Sequence, residues 1–192
     1  MDRLGIPESD FPELKKILGN RLSVKGYYSD TDDGRIIRQH LCALNELPKG
    51  LLQKVVDQGL RAVLIGPGSI PQLPGYAHLV NVRVPNRKDG MTFLDLSGCY
   101  DGKNLALLLG TADPEPHVVE HEFSHALIDV MGYLDDFRVV KCYRDRASRL
   151  NEFYVPNGIP SRTGMDEFLA DILAGVIIFG ERFIKGYERS FV

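Results

Sequence analysis

The order of the predicted elements indicates an α+β fold with a small mixed or antiparallel sheet. Apolar residues recur at helical spacing over residues 9–22 and about 33–59. Short apolar runs that predict strands follow over about 61–110, and two further helical segments come after them. Helices, then strands, then helices is an order typical of an α+β domain rather than of a parallel α/β sheet.

Length, composition and charge predict one soluble globular unit. The chain has 192 residues, of which 44% are hydrophobic and 26% charged, with a formal net charge of −3. Such a chain can bury a sizeable core. We predict a single domain, 1–192, in which residues 1–59 can form an N-terminal helical subregion. The pI near 6.0 and the scattered Lys and Arg residues argue against nucleic acid or an anionic membrane as a partner.

The cysteines and the N-terminal segment bear on the cellular compartment. Cys42, Cys99 and Cys142 are far apart and odd in number, which favours buried or half-buried free thiols over disulfides. The first 16 residues have no apolar core of the kind that a secretory signal needs, and this predicts a cytoplasmic protein. The longest apolar run, 172–180, is too short to cross a bilayer.

Four short apolar runs predict the strands of the sheet. They are bounded by Gly, Pro, Asn or Asp residues, which mark turns. Between the last two runs, Asp101 and Gly102 form the dipeptide of a hairpin turn. The runs are "RAVLIG" (61–66), "LVNVRV" (79–84), "MTFLDL" (91–96) and "NLALLLG" (104–110).

A helix is predicted over about 114–131, with Asp113 as its N-cap and Gly132 at its C-terminal end. At 100° per residue, two opposite faces separate on this helix. The apolar face carries Val119, Phe123, Ala126, Leu127 and Val130, and the polar face carries His121, Glu122, His125 and Asp129. The apolar face therefore packs on the core, and the polar face opens onto a common space.

The polar face has the spacing of a zinc site. His121 and His125 are four residues apart, so their imidazoles are neighbours and can bind one Zn²⁺. Glu122 points beside that position, where it can take a proton from a zinc-activated water. Because short patterns of this kind also arise by chance, a third ligand is the next test.

A downstream carboxylate is the best candidate for the third ligand. The other histidines, His40, His78 and His117, do not follow His125 at a short distance. A buried helix is predicted over about 164–180, and Glu167 lies near its start. We interpret Glu167 as a metal ligand, with a solvated first turn as the alternative.

The same predicted helix offers further polar residues near its start. Asp171 shares a face with Glu167 and is suited to orient a ligating histidine through the imidazole N–H. Thr163 and Asp166 have the spacing of a capping box at the start of the helix. Asp129 on the first helix can assist Asp171 in orienting the histidines.

"HEFSHALID" followed by "DEFLADI" resembles zincin metallopeptidases with a glutamate ligand. More narrowly, it is similar to the anthrax lethal factor catalytic domain and the related Pro-Pro endopeptidases. The pair Arg162 and Thr163 also recurs in lethal factor at the same offset before the glutamate. The resemblance implies a zincin-like fold, one zinc ion per chain and hydrolysis of a peptide or protein substrate. It also implies a secreted enzyme, with substrate along an edge strand that we assign to 104–110.

One position departs from the resemblance. The family carries a tyrosine seven residues before the glutamate ligand, thought to assist the transition state, and Pro160 occupies that position here. Tyr154 in the same connecting segment is our candidate for this role, with Tyr100 and Tyr143 as weaker ones. The alternative is that Tyr154 anchors its loop on the core.

Three functions remain open on the sequence alone. The first is a zinc-dependent endopeptidase with Glu122 as general base. The second is a zincin-fold module that binds zinc and a partner with little or no peptidase activity, and the third is an interaction domain without metal. Arg144, Arg146 and Arg149 in one predicted loop are a weak indication of an acidic substrate. The sequence assigns neither a cleavage specificity nor an oligomeric state.

Overall fold

A computed structural model describes residues 6–7, 9–85, 90–180 and 182–183. Within them, six α-helices surround a sheet of four short strands. The elements in chain order are α1 (Pro12–Leu18), β1 (Leu22–Val24), α2 (Asp32–Glu46), α3 (Lys49–Asp57), β2 (Ala62–Ile65), β3 (Gly98–Asp101), β4 (Ala106–Leu109), α4 (Val118–Met131), α5 (Phe137–Arg146) and α6 (Arg162–Phe179).

The sheet is mixed, with strand order β1-β2-β4-β3. β1, β2 and β4 run parallel, whereas β3 pairs with β4 in antiparallel orientation. The hairpin between β3 and β4 turns where the sequence predicts, because the Asp101 carboxylate accepts hydrogen bonds from the backbone N–H groups of Lys103 and Asn104. The predicted α+β class with a small mixed sheet is confirmed.

Two of the predicted strands are wrong, and two strands were missed, β1 and β3 (Gly98–Asp101). Residues 79–84 contribute only an isolated bridge between Arg83 and Thr92, and residues 91–96 contain the 3-10 turn Phe93–Asp95. Val80 and Val82 are exposed, so the alternating pattern of this segment has no core to cover. β1 lies where the sequence predicts the end of a helix, and its pairing with β2 outweighs that local preference.

The main hydrophobic core lies between the N-terminal helices, the sheet and α4. It contains fully buried side chains from each of them, including Leu14 of α1, Ile37 of α2, Leu107 of β4 and Phe123 of α4. The apolar face predicted for α4 therefore packs inward as expected. The opposite face of α4 is left to meet α6 and the edge of the sheet.

A smaller core joins α5 and α6 to the segment between them. Tyr143, Val155, Met165 and Phe168 are its buried members. The Tyr143 hydroxyl donates to the Tyr154 carbonyl at 2.6 Å. Tyr143, a weaker candidate for the transition state, thus has a structural role in holding the segment that carries Tyr154.

All three cysteines are free, as predicted, but Cys42 and Cys142 are exposed rather than buried. Cys99 is half-buried, and burial raises the pKa of its thiol well above the usual range. None of the helices in the described ranges combines the length and apolarity needed to cross a membrane.

Candidate metal centre

α4 starts later than the sequence predicts. Its first helical residue is Val118, and the N-cap is His117, in the left-handed conformation (φ 63°, ψ 19°), rather than Asp113. Gly132 ends the helix in the left-handed conformation, as predicted. His121, Glu122 and His125 thus lie on the first two turns, on the face that the core leaves open.

α6 also begins differently from the prediction. Ser161 is the N-cap and accepts a hydrogen bond from the Gly164 N–H at 3.0 Å, so Thr163 and Asp166 do not form a capping box. A Cβ at Gly164 would lie 1.9 Å from the Tyr154 carbonyl oxygen. The absence of a side chain at Gly164 therefore lets the Tyr154 segment approach the start of α6.

Three donor atoms from the two helices converge on one point. His121 Nε2 and His125 Nε2 are 3.1 Å apart, and Glu167 Oε2 lies 3.5 Å and 3.7 Å from them. Tetrahedral ligands at the usual zinc–ligand lengths are separated by about 3.3 Å. Among the described residues, these three form the cluster of His, Cys, Asp and Glu side chains close enough to hold a metal ion.

Each imidazole is held from behind by a carboxylate of α6. His121 Nδ1 lies 2.8 Å from Asp171 Oδ1, and His125 Nδ1 lies 3.0 Å from Asp166 Oδ1. A carboxylate accepts hydrogen bonds, so each Nδ1 is the donor and carries the proton. The Nε2 lone pair of a neutral imidazole then faces the other ligands, which is the arrangement that metal-ligating histidines use.

Asp129 and Asp166 differ from their predicted roles. The Asp129 carboxylate accepts a hydrogen bond from the Tyr100 hydroxyl at 2.8 Å and contacts neither imidazole in the hydrogen bonds of the described residues. Asp166 takes the place at His125 instead. Its spacing from Thr163 suggested a capping box, and only the packing of α6 on α4 reveals its contact with His125.

The Tyr154 hydroxyl lies near the three converging donor atoms, but on the Nδ1 side of His121. It donates to Asp171 Oδ2 at 2.5 Å, while the other oxygen of Asp171 accepts from His121 Nδ1. The hydroxyl is thus on the side of His121 that faces away from the other donor atoms. Tyr154 also packs on Phe168, with ring centroids 5.6 Å apart.

Glu122 lies between α4 and the outer strand β3. A Cβ at Gly98 would lie 2.8 Å from Glu122 Cγ, so the two elements are in close contact at this point. Burial raises the pKa of the Glu122 carboxyl above its usual range, while His125, His121 and the Tyr100 backbone N–H oppose this increase. The Glu122 carboxyl is thus buried next to the cluster of His121, His125 and Glu167.

His121, His125 and Glu167 shift one another's pKa values through their hydrogen bonds. Burial lowers the pKa of His121, but hydrogen bonds with Asp171 and Glu167 raise it by more, to about 9. Burial likewise lowers the pKa of His125, and bonds with Asp166 and Glu167 raise it to about 10. Burial raises the pKa of Glu167, but the two imidazoles lower it to about 2.

The centre lies in a cleft of about 850 Å³ between α4, α6 and β3. The face predicted for α6, with Glu167, Asp171, Ala174 and Ile178, lines this cleft. Its remaining walls are largely apolar and include Phe93, Leu96, Phe153 and Phe179. Of the described residues that line it, none is a lysine or an arginine.

No protein-family model and no curated protein matches the sequence. The fold does match a solved structure, that of the Pro-Pro endopeptidase PPEP-2 from Paenibacillus alvei. The TM-score is 0.59 and the sequence identity 16%, over 86% of this chain and 86% of that one. The chain therefore has the zincin-like fold of a Pro-Pro endopeptidase, and the resemblance read from its two motifs is confirmed at the level of the fold.

Proposed function

We propose that this protein is a zinc-dependent endopeptidase. The observation that carries the proposal is the convergence of His121 Nε2, His125 Nε2 and Glu167 Oε2, with each imidazole oriented by its own carboxylate. Two nitrogens and one oxygen are a ligand set typical of catalytic zinc, which keeps its fourth position open. The fold similarity to a Pro-Pro endopeptidase supports the same conclusion.

The ligand set defines the chemistry available to the site. When bound, zinc acts as a Lewis acid on the scissile carbonyl and lowers the pKa of a bound water to about 7. His121, His125 and Glu167 hold the ion, and Asp171 and Asp166 keep the two imidazoles in the required tautomer and orientation.

Glu122 supplies proton transfer. As general base it takes a proton from the attacking water, and it then donates this proton to the amine of the departing peptide segment. Its raised pKa suits both steps, because burial makes the carboxyl a better acceptor for the proton that it later delivers to the amine. The mechanism needs no covalent intermediate and no organic cofactor.

The structure changes our assignment of the strand that binds substrate. β4, which contains residues 106–109, lies inside the sheet between β2 and β3, so it has no free edge. β3 is the outer strand and lines the cleft. The Gly110 N–H donates to the Ser97 carbonyl, so Ser97 and Gly110 are a hydrogen-bonded pair of the antiparallel ladder. Along such a ladder, hydrogen-bonded pairs alternate with pairs that do not bond each other. Gly98 and Tyr100 therefore direct their backbone polar groups away from β4, and the Tyr100 N–H on that side donates to the Glu122 carboxylate.

We propose that the substrate is an extended peptide that adds to this free edge of β3. Strand addition supplies affinity through the backbone, and side-chain pockets supply specificity. The cleft contains carboxylates and apolar groups without a lysine or arginine among its described lining residues, which disfavours an acidic substrate. Arg144, Arg146 and Arg149 lie outside that lining.

Tyr154 is proposed as a positioning residue for Asp171 rather than as a direct donor to the transition state. Its hydroxyl would have to leave Asp171 to reach the front of the metal site. No other tyrosine is better placed among those predicted, because the Tyr100 hydroxyl binds Asp129 and Tyr143 is buried in the smaller core.

The decisive experiment combines metal analysis with peptide turnover. Wild type, Glu167→Ala and Glu122→Gln are prepared side by side and assayed for zinc by elemental analysis. We expect about one zinc per chain in wild type and in Glu122→Gln, and much less in Glu167→Ala. Peptide-library cleavage should be present in wild type and absent in both variants. Zinc without cleavage in wild type would favour the binding-module alternative, and absence of zinc would contradict the proposal.

A further inference from the structure

His117 lies in the cleft but is not one of the proposed metal ligands. Its exposed side chain lines the cleft four residues, or about one helical turn, before His121. No role in the proposed mechanism accounts for it. It also has no side-chain capping bond to α4, although it is the N-cap residue.

The backbone at His117 is unfavourable for a histidine. Its φ of 63° lies in the left-handed region, which costs an L-residue with a Cβ roughly 1–2 kcal/mol. Glycine or asparagine would adopt this conformation at lower cost. Histidine adopts this conformation more often than most residues with a Cβ. Residues with unfavourable backbone angles are concentrated at ligand sites, so the conformation of His117 is compatible with a role in the cleft.

His117 has an aromatic neighbour across the cleft. Its ring and that of Phe179 lie 6.2 Å apart with an interplanar angle of 71°. Phe179 ends α6 and is 55% exposed. Ala174 and Ile178, on the preceding turns of α6, line the same cleft. The two rings and these aliphatic groups line the same cleft as the proposed metal ligands, and this part of the cleft wall is called the recess below.

The distance along α4 places this recess relative to the scissile bond. Four residues of helix rise by about 6 Å. An extended peptide advances by about 3.3 Å per residue. A substrate bound at the metal centre would therefore bring a side chain to the recess about two residues away from the bond that is cleaved.

We propose that His117 and Phe179 form a specificity subsite for an uncharged, apolar side chain of the substrate. This inference rests on the proposed peptidase function and deepens it. The side chain would cover the exposed Phe179 ring, and the imidazole N–H would remain available to a backbone carbonyl of the peptide. An acidic side chain would meet no lysine or arginine among the described residues of the cleft.

The test uses zinc-loaded full-length protein and a synthetic peptide library that is degenerate on both sides of the cleavage point. His117→Gly and Phe179→Ala are compared with wild type, with cleavage sites read by mass spectrometry. Wild type should favour apolar residues at one position about two residues from the cut. Both variants should reduce that preference by about tenfold while other positions keep theirs.

Two controls separate a lost contact from a disturbed fold. His117→Gly should retain zinc and melt at the wild-type temperature or above, since it relieves backbone strain. Asp113→Gly removes a side chain from another left-handed residue (φ 40°) of the same segment, outside the cleft lining, and should leave the preference unchanged.

Binding without turnover gives an independent measurement. The best wild-type peptide is titrated into zinc-loaded Glu122→Gln with and without His117→Gly, and should bind about tenfold more weakly when the imidazole is absent. An unchanged positional preference in His117→Gly would overturn the subsite while leaving the peptidase function intact. A zinc-loaded wild type that cleaves no peptide would overturn both.

Discussion

The imidazole of His125 donates through Nδ1 to Oδ1 of Asp166 at 3.0 Å, across the contact between α4 and α6. The equivalent nitrogen of His121 donates to Asp171, five residues further along α6. His121 and His125, four residues apart on α4, thus bind Asp171 and Asp166, five residues apart on α6. Glu167 lies between these two carboxylates in the sequence. This pairing orients both imidazoles through carboxylates of α6.

Removal of either orienting carboxylate should weaken metal binding. Asp166→Asn and Asp171→Asn keep the shape of the side chain but lose the charge that fixes each Nδ1–H. We expect zinc affinity to fall by 10- to 100-fold in each variant, measured by competition with a chelator. Asp129→Asn is the matched control, since that carboxylate binds the Tyr100 hydroxyl, and its zinc affinity should equal that of wild type. Equal affinities in all four proteins would contradict the orienting role.

Tyr154→Phe should distinguish a positioning role from direct catalysis. Loss of the hydroxyl removes one hydrogen bond from Asp171, so zinc affinity should fall by about tenfold, and kcat at saturating zinc should change only modestly. A direct donor to the transition state would show the opposite result, a 10²- to 10³-fold loss in kcat with unchanged zinc affinity. Chelator competition and steady-state kinetics on the same preparations decide between the two.

Gly98→Ala should displace Glu122, because Gly98 of β3 packs against the first turns of α4. The added Cβ would lie 2.4 Å from Val118 Cγ2 and 2.8 Å from Glu122 Cγ, so β3 and α4 must separate or Glu122 must move. We expect a loss of about 1–3 kcal/mol in the free energy of unfolding, together with a strong loss of turnover. Gly102→Ala, in the adjoining hairpin, meets no atom closer than 3.5 Å and should unfold like wild type in urea. Similar stability in the two variants would show that the close contact is unimportant.

Stability should depend on pH through the ligand side chains. In chelator-treated protein, the pKa values of His121 and His125 are raised from 6.5 to about 9 and about 10. A raised pKa stabilises the folded state below pH 6.5, and this contribution is lost as the pH rises toward 10. Glu167, with its pKa lowered from 4.5 to about 2, contributes above pH 4.5 and loses its effect toward pH 2.

The melting temperature of chelator-treated protein should therefore fall between pH 7 and pH 10. Zinc competes with protons for the same nitrogens, so zinc-loaded protein should not share that fall. The difference in melting temperature between the two forms should widen with pH, as measured by differential scanning calorimetry. A constant difference across this range would mean that the imidazoles are not protonated in the stripped protein.

Local patterns were sufficient for several features of the centre. The 3.6-residue period separated the buried face of α4, with Phe123, from the face that carries His121 and His125. The same period placed Glu167 and Asp171 on one side of α6, where both line the cleft. The Asp101–Gly102 turn was also predictable, because its side-chain acceptor and its glycine act within four residues.

Features that depend on contacts between distant segments were not predictable. The alternating pattern of 79–84 indicated a strand, but no partner strand forms a ladder with it among the described residues. Asp166 looked like part of a capping box, because that motif lies within four consecutive residues and can be recognised in the sequence. Its contact with His125 joins two distant helices and cannot be recognised in this way. The order of β3 and β4 in the sheet, and hence the strand with the free edge, was likewise hidden.

The sequence by itself determined which groups the site brings together: two imidazoles and a carboxylate that could hold a metal ion, and the carboxylate of Glu122 on the same face of α4 as the imidazoles. Helical periodicity is a local property, so the faces that carry these groups follow from the chain alone. Tertiary structure decided which carboxylate orients which imidazole, where the Tyr154 hydroxyl lies and which strand edge faces the cleft. Those relationships arise from the packing of α6 and β3 against α4, which brings together residues that are 20 to 50 positions apart in the sequence. Contacts between such distant residues cannot be predicted from a local sequence pattern.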